Sequence, residues 1–417
     1  MIGRSNKLYS KVLKDFNVDK WDKKTIVVYG AGKVGRQIGN ALKSKEIDDF
    51  IYCDAYIEED SFIGKKIIRP ESVSKFSNII IGSSYYIIDI YKKLQKLGIN
   101  NNFIFTANNL FCESKRIDNR HSLVELNINH SYEQAISSLN AYLNDGYVIE
   151  HLDLIITEIC TLNCEACGSL MPLYVKPQNC DEENVIKGLD ALLKSNCYIK
   201  ELCIIGGEPF VNQKLMKQIL VKYKDNRQIA TFMTISNGTL LPTKEVLTAM
   251  KSNGKFIVVF SNYGNLSKAQ EKAVQLLDEY GIESAIETKE DIVGHEGRIW
   301  IDYGKVKHYD FKYDKHQNMF LNCNERLMCT TLLNGKLFLC PRIAHAVNLG
   351  LIPSGLQGNY LDLLHEEYIN SDNKIKQNMC INYLKNEEHP IACEYCNRDA
   401  GILVERAKQI SREIVKE

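Results

Sequence analysis

Three cysteines within eight residues constrain this chain more than any other feature. Cys160, Cys164 and Cys167 have the spacing C-x3-C-x2-C and directly follow an apolar run, 152–156, that is typical of a buried strand. A loop that folds back after a strand can aim three thiolates at one point, where they would hold a metal cluster. A cubane [4Fe–4S] cluster normally takes four cysteines, so three ligands leave one iron open. The alternatives are a zinc site or three unrelated buried thiols.

A second motif follows the next strand-like run, 201–205. It reads Gly206-Gly207-Glu208-Pro209. Two glycines allow a backbone to approach a ligand closely, and the Glu208 carboxylate can accept hydrogen bonds from an ammonium group. Together the two motifs resemble the radical SAM superfamily over roughly residues 150–305.

The resemblance implies that the three clustered cysteines bind three irons of a [4Fe–4S] cluster. It also implies that the fourth iron chelates the amine and carboxylate of S-adenosylmethionine. One position departs from the pattern, because the residue before the third cysteine is often aromatic in this superfamily and is Ala166 here.

Length, charge and cysteine usage bound the class of protein. A chain of 417 residues is too long for one ordinary domain, and its formal net charge of +0 argues against non-specific binding to nucleic acid or to a membrane surface. No apolar run approaches about 18 residues, and the N-terminus lacks the apolar core of a signal peptide. We therefore expect a cytoplasmic protein whose 14 cysteines serve in metal binding rather than in disulfides.

The first domain, which we place at residues 1–125, carries a G-x-G-x-x-G motif. Gly30, Gly32 and Gly35 follow the β-branched run 25–29 and precede a helical pattern, and Asp54 ends the next strand. This context predicts a Rossmann-like fold with a phosphate near the glycines and a ribose near the acid. The domain resembles the small Rossmann-like domains attached to carbohydrate-modifying enzymes. Three interpretations stay open: binding of a nucleotide or nucleotide-sugar, a degenerate scaffold, and NAD(P) redox chemistry.

Residues 126–310 alternate strand and helix patterns, beginning with an amphipathic helix at 132–143 that we expect to enter this second domain. The alternation and the resemblance together indicate an α/β fold, a partial (β/α)6 radical SAM barrel. Reacting groups gather at the carboxyl ends of barrel strands. Ser236, Asn237 and Ser261 stand at such ends as cofactor contacts, and Asp302, after the sixth predicted strand, is a substrate-contact candidate. The six strands are predicted at 151–158, 200–205, 229–235, 255–260, 282–287 and 298–302.

Cysteines return in a small C-terminal extension, residues 311–417. Cys329 and Cys340 flank a β-hairpin that turns at Asn334-Gly335, and Cys393 and Cys396 form a C-x2-C pair. The arrangement resembles the SPASM and Twitch extensions of radical SAM enzymes and is closer to Twitch, which implies one auxiliary [4Fe–4S] cluster. Four such thiols also suit tetrahedral zinc.

Cys323 and Cys380 are left over, as core thiols, alternative ligands or a hydrogen-atom donor. We also expect a closing helix over 398–417.

The resemblance implies that the enzyme cleaves S-adenosylmethionine reductively, with an electron from a flavodoxin- or ferredoxin-type donor. The resulting 5′-deoxyadenosyl radical would abstract a hydrogen atom from substrate. The N-terminal domain favours a sugar or nucleotide-sugar substrate, with epimerisation or dehydrogenation as the outcome. Modification of a peptide is the alternative, and a non-catalytic iron–sulfur or nucleotide sensor is the third reading.

Overall fold

The computed structural model describes residues 12–107, 110, 128–287, 299–353, 355–356, 358–398 and 402–411. The chain forms two compact units, each described here by itself. The first is Met1–Asp118 with Leu126–Val148, and the second is Asn119–Glu125 with Ile149–Glu417. The predicted C-terminal extension therefore belongs to the same unit as the barrel.

The first unit is built on a seven-stranded sheet in the order β1-β7-β6-β2-β3-β5-β4, parallel except for the β4–β5 pair. Its central strands are almost wholly buried and rich in isoleucine and valine, as strands covered on both faces are. The order reverses between β2 and β6, so this is the doubly wound sheet that the glycine motif predicted. The strands are Lys14–Asp15, Ile26–Tyr29, Phe50–Cys53, Ser61–Phe62, Lys65–Ile68, Asn78–Ile81 and Ile104–Thr106 (β1–β7).

The helix expected to open the second domain packs on the first unit instead. It spans Ile128–Leu143, and its Tyr132, Ile136 and Leu139 belong to the apolar core of that unit. The Tyr132 hydroxyl is fully buried and donates a hydrogen bond of 2.5 Å to the carbonyl oxygen of Ile81, at the end of β6. An amphipathic pattern fixes which face of a helix is buried but not which core it joins. The other helices of this unit are Lys33–Ser44 and Ile87–Lys96, so the three are α1, α2 and α3 in chain order.

The second unit contains an eight-stranded sheet in the order β12-β11-β10-β9-β8-β14-β15-β16. Strands β9 to β12 are parallel, β8 lies next to β9, and helices join the five strands, which is the barrel pattern that the sequence predicted. These five strands are Tyr147–Thr157, Cys197–Gly206, Ile229–Ser236, Phe256–Ser261 and Glu283–Glu287 (β8–β12). The helices between them are Glu182–Lys194, Gln213–Tyr223, Lys244–Asn253 and Gln270–Tyr280 (α4–α7).

The predicted sixth barrel strand is wrong. Ile299–Asp302 (β13) leaves the barrel sheet and pairs antiparallel with Ile402–Glu405 (β17) in a separate two-stranded ribbon. At the opposite end of the five barrel strands from β12, Thr330–Leu333 (β14) pairs with β8 and runs parallel to it. Strand pairing is decided by which edge is available in three dimensions, and a strand pattern in the sequence does not encode its partner.

The predicted C-terminal hairpin is confirmed. Strand β14 turns into Lys336–Phe338 (β15) through Asn334 and Gly335, both of which have positive φ, as the tightest hairpin turn requires. The predicted closing helix is wrong over the described part of 398–417, which contains strand β17. Ile414 lies outside the described residues. The remaining elements are Leu361–Asp362 (β16) and the helices Tyr313–Leu321, Asn324–Met328, Pro341–Asn348, Glu366–Asn370 and Asn373–Leu384 (α8–α12).

Within the described residues, none of the helices has both the length and the apolar character needed to cross a membrane.

Candidate functional site

The cysteine loop begins three residues after β8 and is held from two sides. Gln409 donates from Nε2 to Cys164 Sγ over 3.1 Å, and Asn237 donates from Nδ2 to Cys160 Sγ over 3.7 Å. Backbone hydrogen bonds also join the loop to the C-terminal segment, from Glu165 N to Lys408 O and from Ile410 N to Asn163 O, each of 2.9 Å. The end of β10 and the chain after β17 therefore fix the loop together.

The three thiols share an apolar setting. Cys164 is buried with Leu162 and Ala407, while Cys160 and Cys167 pack against this cluster. Burial raises the pKa of Cys160 to about 12 and raises the pKa values of Cys164 and Cys167, and the nearby thiols add to the shift of Cys160. Neighbouring thiolates without a cation repel one another, whereas iron stabilises the deprotonated form. The donor set thus fits an iron–sulfur cluster.

The two glycines of the second motif allow close contact with another stretch of the protein backbone. A Cβ on Gly206 would lie 2.3 Å from the carbonyl oxygen of Thr157, and one on Gly207 would lie 2.4 Å from that of Ile159. Hydrogen bonds from Gly207 N to Thr157 O and from Glu208 N to Ile159 O hold the same contact. The expected close approach is real, but its partner is the start of the cysteine loop.

Glu208 does not offer its carboxylate to a ligand. The side chain is fully buried: Oε1 accepts from Ser236 Oγ over 2.9 Å and from Phe210 N over 3.1 Å, while Oε2 accepts from Asn237 N over 2.8 Å. The expectation of a direct bond to an ammonium group is therefore corrected. Glu208, which precedes Pro209, instead links the chain after β9 to the end of β10 through its hydrogen bonds to Ser236 and Asn237.

Ser236 and Asn237 differ in which groups their side chains contact. The Ser236 hydroxyl is fully buried and engaged with Glu208 and with Gly238 N, so it is not open to a cofactor. Asn237 reaches the cysteine loop, donating to Thr161 Oγ1 over 3.1 Å as well as to Cys160. Of this pair, Asn237 is the residue that contacts the cluster-binding loop.

Replacing Glu208 with glutamine should lower the free energy of unfolding by about 1–3 kcal/mol, because the new amide NH2 meets a backbone or hydroxyl donor. Burial raises the pKa of Glu208 to about 7, although its three hydrogen bonds lower it. At pH values between 4.5, the ordinary pKa of a glutamate, and about 7, Glu208 is protonated in the native state but ionised in the unfolded state. The contribution of Glu208 to the free energy of unfolding therefore falls as the pH rises through this range.

Glutamine removes this titration, so the stability gap between wild type and Glu208→Gln should be wider at pH 5 than at pH 8. Denaturant unfolding at the two pH values measures it. Glu183→Gln, in an exposed ion pair with Lys187, is the control and should change stability little at either pH. An equal gap for Glu208→Gln at both pH values would contradict the assignment.

Ser261 takes part in a network at the ends of three strands. Its hydroxyl donates to Glu287 Oε2 over 2.9 Å, and Arg406, after β17, pairs with the same carboxylate oxygen. The Arg406 guanidinium also lies over the ring of Tyr263, at 5.0 Å from the ring centroid. The network links β11 and β12 to the C-terminal segment beside the cysteine loop.

Several residues of the site were missed by the sequence reasoning. Glu287 ends the fifth barrel strand, so the strand-end rule already applied to Ser261 could have found it. Arg406 and Gln409 were hidden by the helix predicted for that segment. Trp300, which packs against the buried cluster around Cys164, was noted only as part of a barrel strand.

A second group of thiols, Cys323, Cys340, Cys393 and Cys396, lines one cavity. Burial raises the pKa values of Cys340, Cys393 and Cys396, and Cys323 contributes electrostatically to each shift. Four thiols around one cavity are the donor set of a closed cubane or of tetrahedral zinc.

Cys329 is not among the cavity residues, in contrast to the ligand set expected from the sequence. It lies near Asp153, His151 and Cys203, whose charges act on its thiol. The reason is the parallel pairing of β14 with β8, which draws the residue before β14 toward the barrel strands. The hairpin was predicted correctly, but only one of its two cysteines belongs to the second thiol group.

Two catalytic candidates are corrected. Cys380 is fully buried in α12, with its Sγ 3.3 Å from the Tyr368 hydroxyl, so it is a core thiol. Asp302 lies on the ribbon rather than at a barrel-strand end, and its Oδ1 accepts from Gly304 N over 2.8 Å. For Cys380 a core thiol was one of the readings that the sequence left open, whereas Asp302 does not have the position that the sequence assigned to it.

Arg342 acts electrostatically on cysteines of both thiol groups. Its positive charge lowers the pKa values of both Cys167 and Cys396, against the burial that raises them. The side chain lines the cavity, donates to Gly304 O, and has a buried Nε that lacks a partner among the described residues. A guanidinium so placed can balance negative charge on both sets of thiolates.

In the first unit the glycines divide by role. Gly30 has φ of 117°, and a Cβ on Gly35 would lie 1.8 Å from the Gly30 carbonyl oxygen, so both shape the turn itself. A Cβ on Gly32 would meet nothing within 4 Å, which leaves open space at the N-terminus of α1. Asp54 accepts from Ala31 N over 2.9 Å, so this acid braces the glycine turn.

Comparison with known proteins gives one match to a family model. Residues 151–276 match the family described as "4Fe-4S single cluster domain", a range that contains the cysteine loop and the Gly206–Pro209 motif. No curated protein sequence gives a significant match.

Three solved structures resemble parts of the chain. SuiB of Streptococcus suis, bound to precursor peptide SuiA, is 16% identical over 50% of this chain and 48% of its own, with a TM-score of 0.29. The anSMEcpe structure with bound AdoMet and a Kp18Cys peptide is 15% identical over 55% and 82%, with a TM-score of 0.32. HydG, a maturase of the [FeFe]-hydrogenase, is 16% identical over 49% and 46%, with a TM-score of 0.26. The chain spans about half the length of SuiB and HydG.

Proposed function

We propose that the chain is a radical SAM enzyme that removes a hydrogen atom from a peptide substrate, and the match of residues 151–276 to a 4Fe–4S single cluster domain supports the cluster. The structural feature that favours a peptide substrate is the two-stranded ribbon of β13 and β17, which lies beside the cysteine loop. Trp300 of this ribbon packs against the buried cluster around Cys164, and the chain following β17 hydrogen-bonds to the loop.

The first thiol group would hold the reactive cluster. When bound, the reduced cluster and S-adenosylmethionine supply a 5′-deoxyadenosyl radical able to attack an unactivated C–H bond. Cys160, Cys164 and Cys167 would ligate it, and Asn237 and Gln409 fix the geometry of the loop through hydrogen bonds to two of the sulfurs. Trp300 and Tyr263 pack against the loop and exclude water from its surroundings.

The second thiol group would hold an auxiliary [4Fe–4S] cluster. We propose Cys323, Cys340, Cys393 and Cys396 as its ligands, because these four line one cavity. Arg342, whose charge acts on Cys396 and Cys167, would stabilise the added negative charge of either reduced centre. A flavodoxin- or ferredoxin-type protein would supply the electron.

The ribbon suits an extended peptide. Within the described residues β13 and β17 pair only with each other, so each has a free edge of backbone N–H and C=O groups. Ile301, Ile402 and Leu403 expose 38%, 56% and 46% of their surfaces on this ribbon. A peptide strand added to such an edge gains main-chain hydrogen bonds and apolar contacts, and it would run beside the cysteine loop.

Incubation of the reconstituted enzyme with panels of synthetic peptides and of nucleotide-sugars tests the substrate class. We expect a mass change in a peptide and a substrate-dependent rise in 5′-deoxyadenosine. Leu403→Asp should raise KM for that peptide, because it places a charge on the apolar ribbon. Val221→Asp alters an equally exposed apolar residue on α5 and should leave KM unchanged. Turnover of nucleotide-sugars alone would overturn the peptide proposal.

A sugar or nucleotide-sugar remains the second candidate, favoured by the open space at Gly32. The backbone N–H groups at the N-terminus of α1 have no side-chain cap and suit a phosphate. In the same assay, Gly32→Val should block a nucleotide-sugar by clashing with its phosphate and should leave the peptide reaction intact.

A further inference from the structure

Strands β8 and β9 carry metal-binding side chains away from both thiol groups. His151 and Asp153 lie on β8, and Glu201 and Cys203 lie on β9, the neighbouring strand. One ligand atom each from His151, Asp153 and Cys203 lie within 4.8 Å of one another. Each pair is spaced by two residues, so its members share one face of their strand.

The group is buried and polar. Asp153 is 6% exposed and Cys203 is 0% exposed, an environment that makes an unpaired carboxylate costly. His151 Nε2 lies 3.0 Å from Asp153 Oδ1, while its Nδ1 lies 2.7 Å from Glu201 Oε1. A carboxylate on one ring nitrogen is the usual means of orienting a histidine whose other nitrogen binds a metal.

Cys329 lies beside this group, although its thiol is outside the three atoms that lie within 4.8 Å of one another. The β14–β8 register pairs Thr330 with Leu152 and Thr331 with Asp153, so the residue before Thr330 comes level with His151. Asp153, His151 and Cys203 all act electrostatically on the Cys329 thiol. This placement gives a role to the one C-terminal hairpin cysteine that does not line the second cavity.

We propose that His151, Asp153, Cys203 and Cys329 bind one divalent transition metal ion, with Glu201 positioning His151. One nitrogen, one oxygen and two sulfurs form a four-coordinate set that suits Zn²⁺. The ligands come from the adjacent strands β9 and β8 and from the residue that precedes β14, the strand paired with β8. The ion would therefore fasten the hairpin to the barrel at the β8 edge.

Zinc binding by the full-length, iron-loaded chain tests this site. Protein reconstituted anaerobically with iron and sulfide is equilibrated with zinc, desalted, and assayed for metal by mass spectrometry. We expect about one tightly bound zinc per chain, and none in Cys203→Ser/Cys329→Ser. Glu201→Gln should weaken zinc affinity by about 10–100-fold, as loss of a positioning carboxylate does. Cys180→Ser removes a buried thiol outside the group and should retain the ion.

X-ray absorption at the zinc edge of the wild type provides a readout that does not depend on variant folding. It should show sulfur ligands at about 2.3 Å together with lighter ligands at about 2.0 Å. The proposal is overturned if the wild type holds no zinc after desalting, if the double variant keeps its zinc, or if the edge spectrum shows oxygen ligands alone. In the first case, His151 is simply a half-buried imidazole bridging two carboxylates.

Discussion

Replacing Cys160, Cys164 and Cys167 together with alanine should abolish release of 5′-deoxyadenosine from dithionite-reduced protein. The three thiols occupy one loop, held by Asn237 and Gln409, and this loop lies in the region that matches a 4Fe–4S domain. Without thiolates the loop cannot hold iron, and without a cluster no electron reaches the cofactor. Iron should fall from roughly eight to roughly four atoms per chain, since two cubanes become one.

The matched control removes three other buried thiols, Cys53, Cys180 and Cys197, by the same change to alanine. Both the iron content and 5′-deoxyadenosine release of this variant should match the wild type. Anaerobic reconstitution followed by iron assay and chromatography measures both. Release from the first variant at the wild-type level would refute the assignment of the loop.

Cys323→Ala should remove the auxiliary cluster, whereas Cys329→Ala should leave it in place. Cys323 lines the cavity with the three other thiols, and Cys329 lies beside Asp153 and Cys203 instead. We therefore expect Cys323→Ala to lose about four irons per chain and the spectroscopic signal of the second cluster. Sequence reasoning alone predicts the opposite pair of results.

Iron assay and low-temperature electron paramagnetic resonance of the two single variants distinguish these outcomes. The background should be the Cys160/Cys164/Cys167 triple alanine variant, in which the auxiliary cluster is the sole remaining centre. Loss of iron in Cys329→Ala with retention in Cys323→Ala would restore the ligand set predicted from the sequence. Zinc rather than iron at this site would remove the auxiliary cluster from the mechanism.

Many features of this protein are determined by residues that are neighbours in the sequence. The run of apolar residues before Cys160 sets a buried strand, and Asn334-Gly335 sets a hairpin, because each signal acts through neighbouring residues. Gly30 and Gly35 likewise determine the tight turn before α1, since no larger residue fits there. Such features depend on backbone sterics and periodicity, which a single sequence displays.

Tertiary structure decided which separate segments meet. Strand β13 was recognised as a strand, but only the tertiary structure showed that it pairs with β17 rather than with the barrel, and that β14 pairs with β8. The pairing of β14 with β8 also places Cys329 near His151 rather than in the cavity that Cys340 lines. Glu208 was read as a ligand-binding carboxylate, yet its buried hydrogen bonds to Ser236 and Asn237 arise only when β9 and β10 end side by side. Pairing between distant strands is set by the competition of all available edges, so local sequence predicted the elements and the fold assigned their partners.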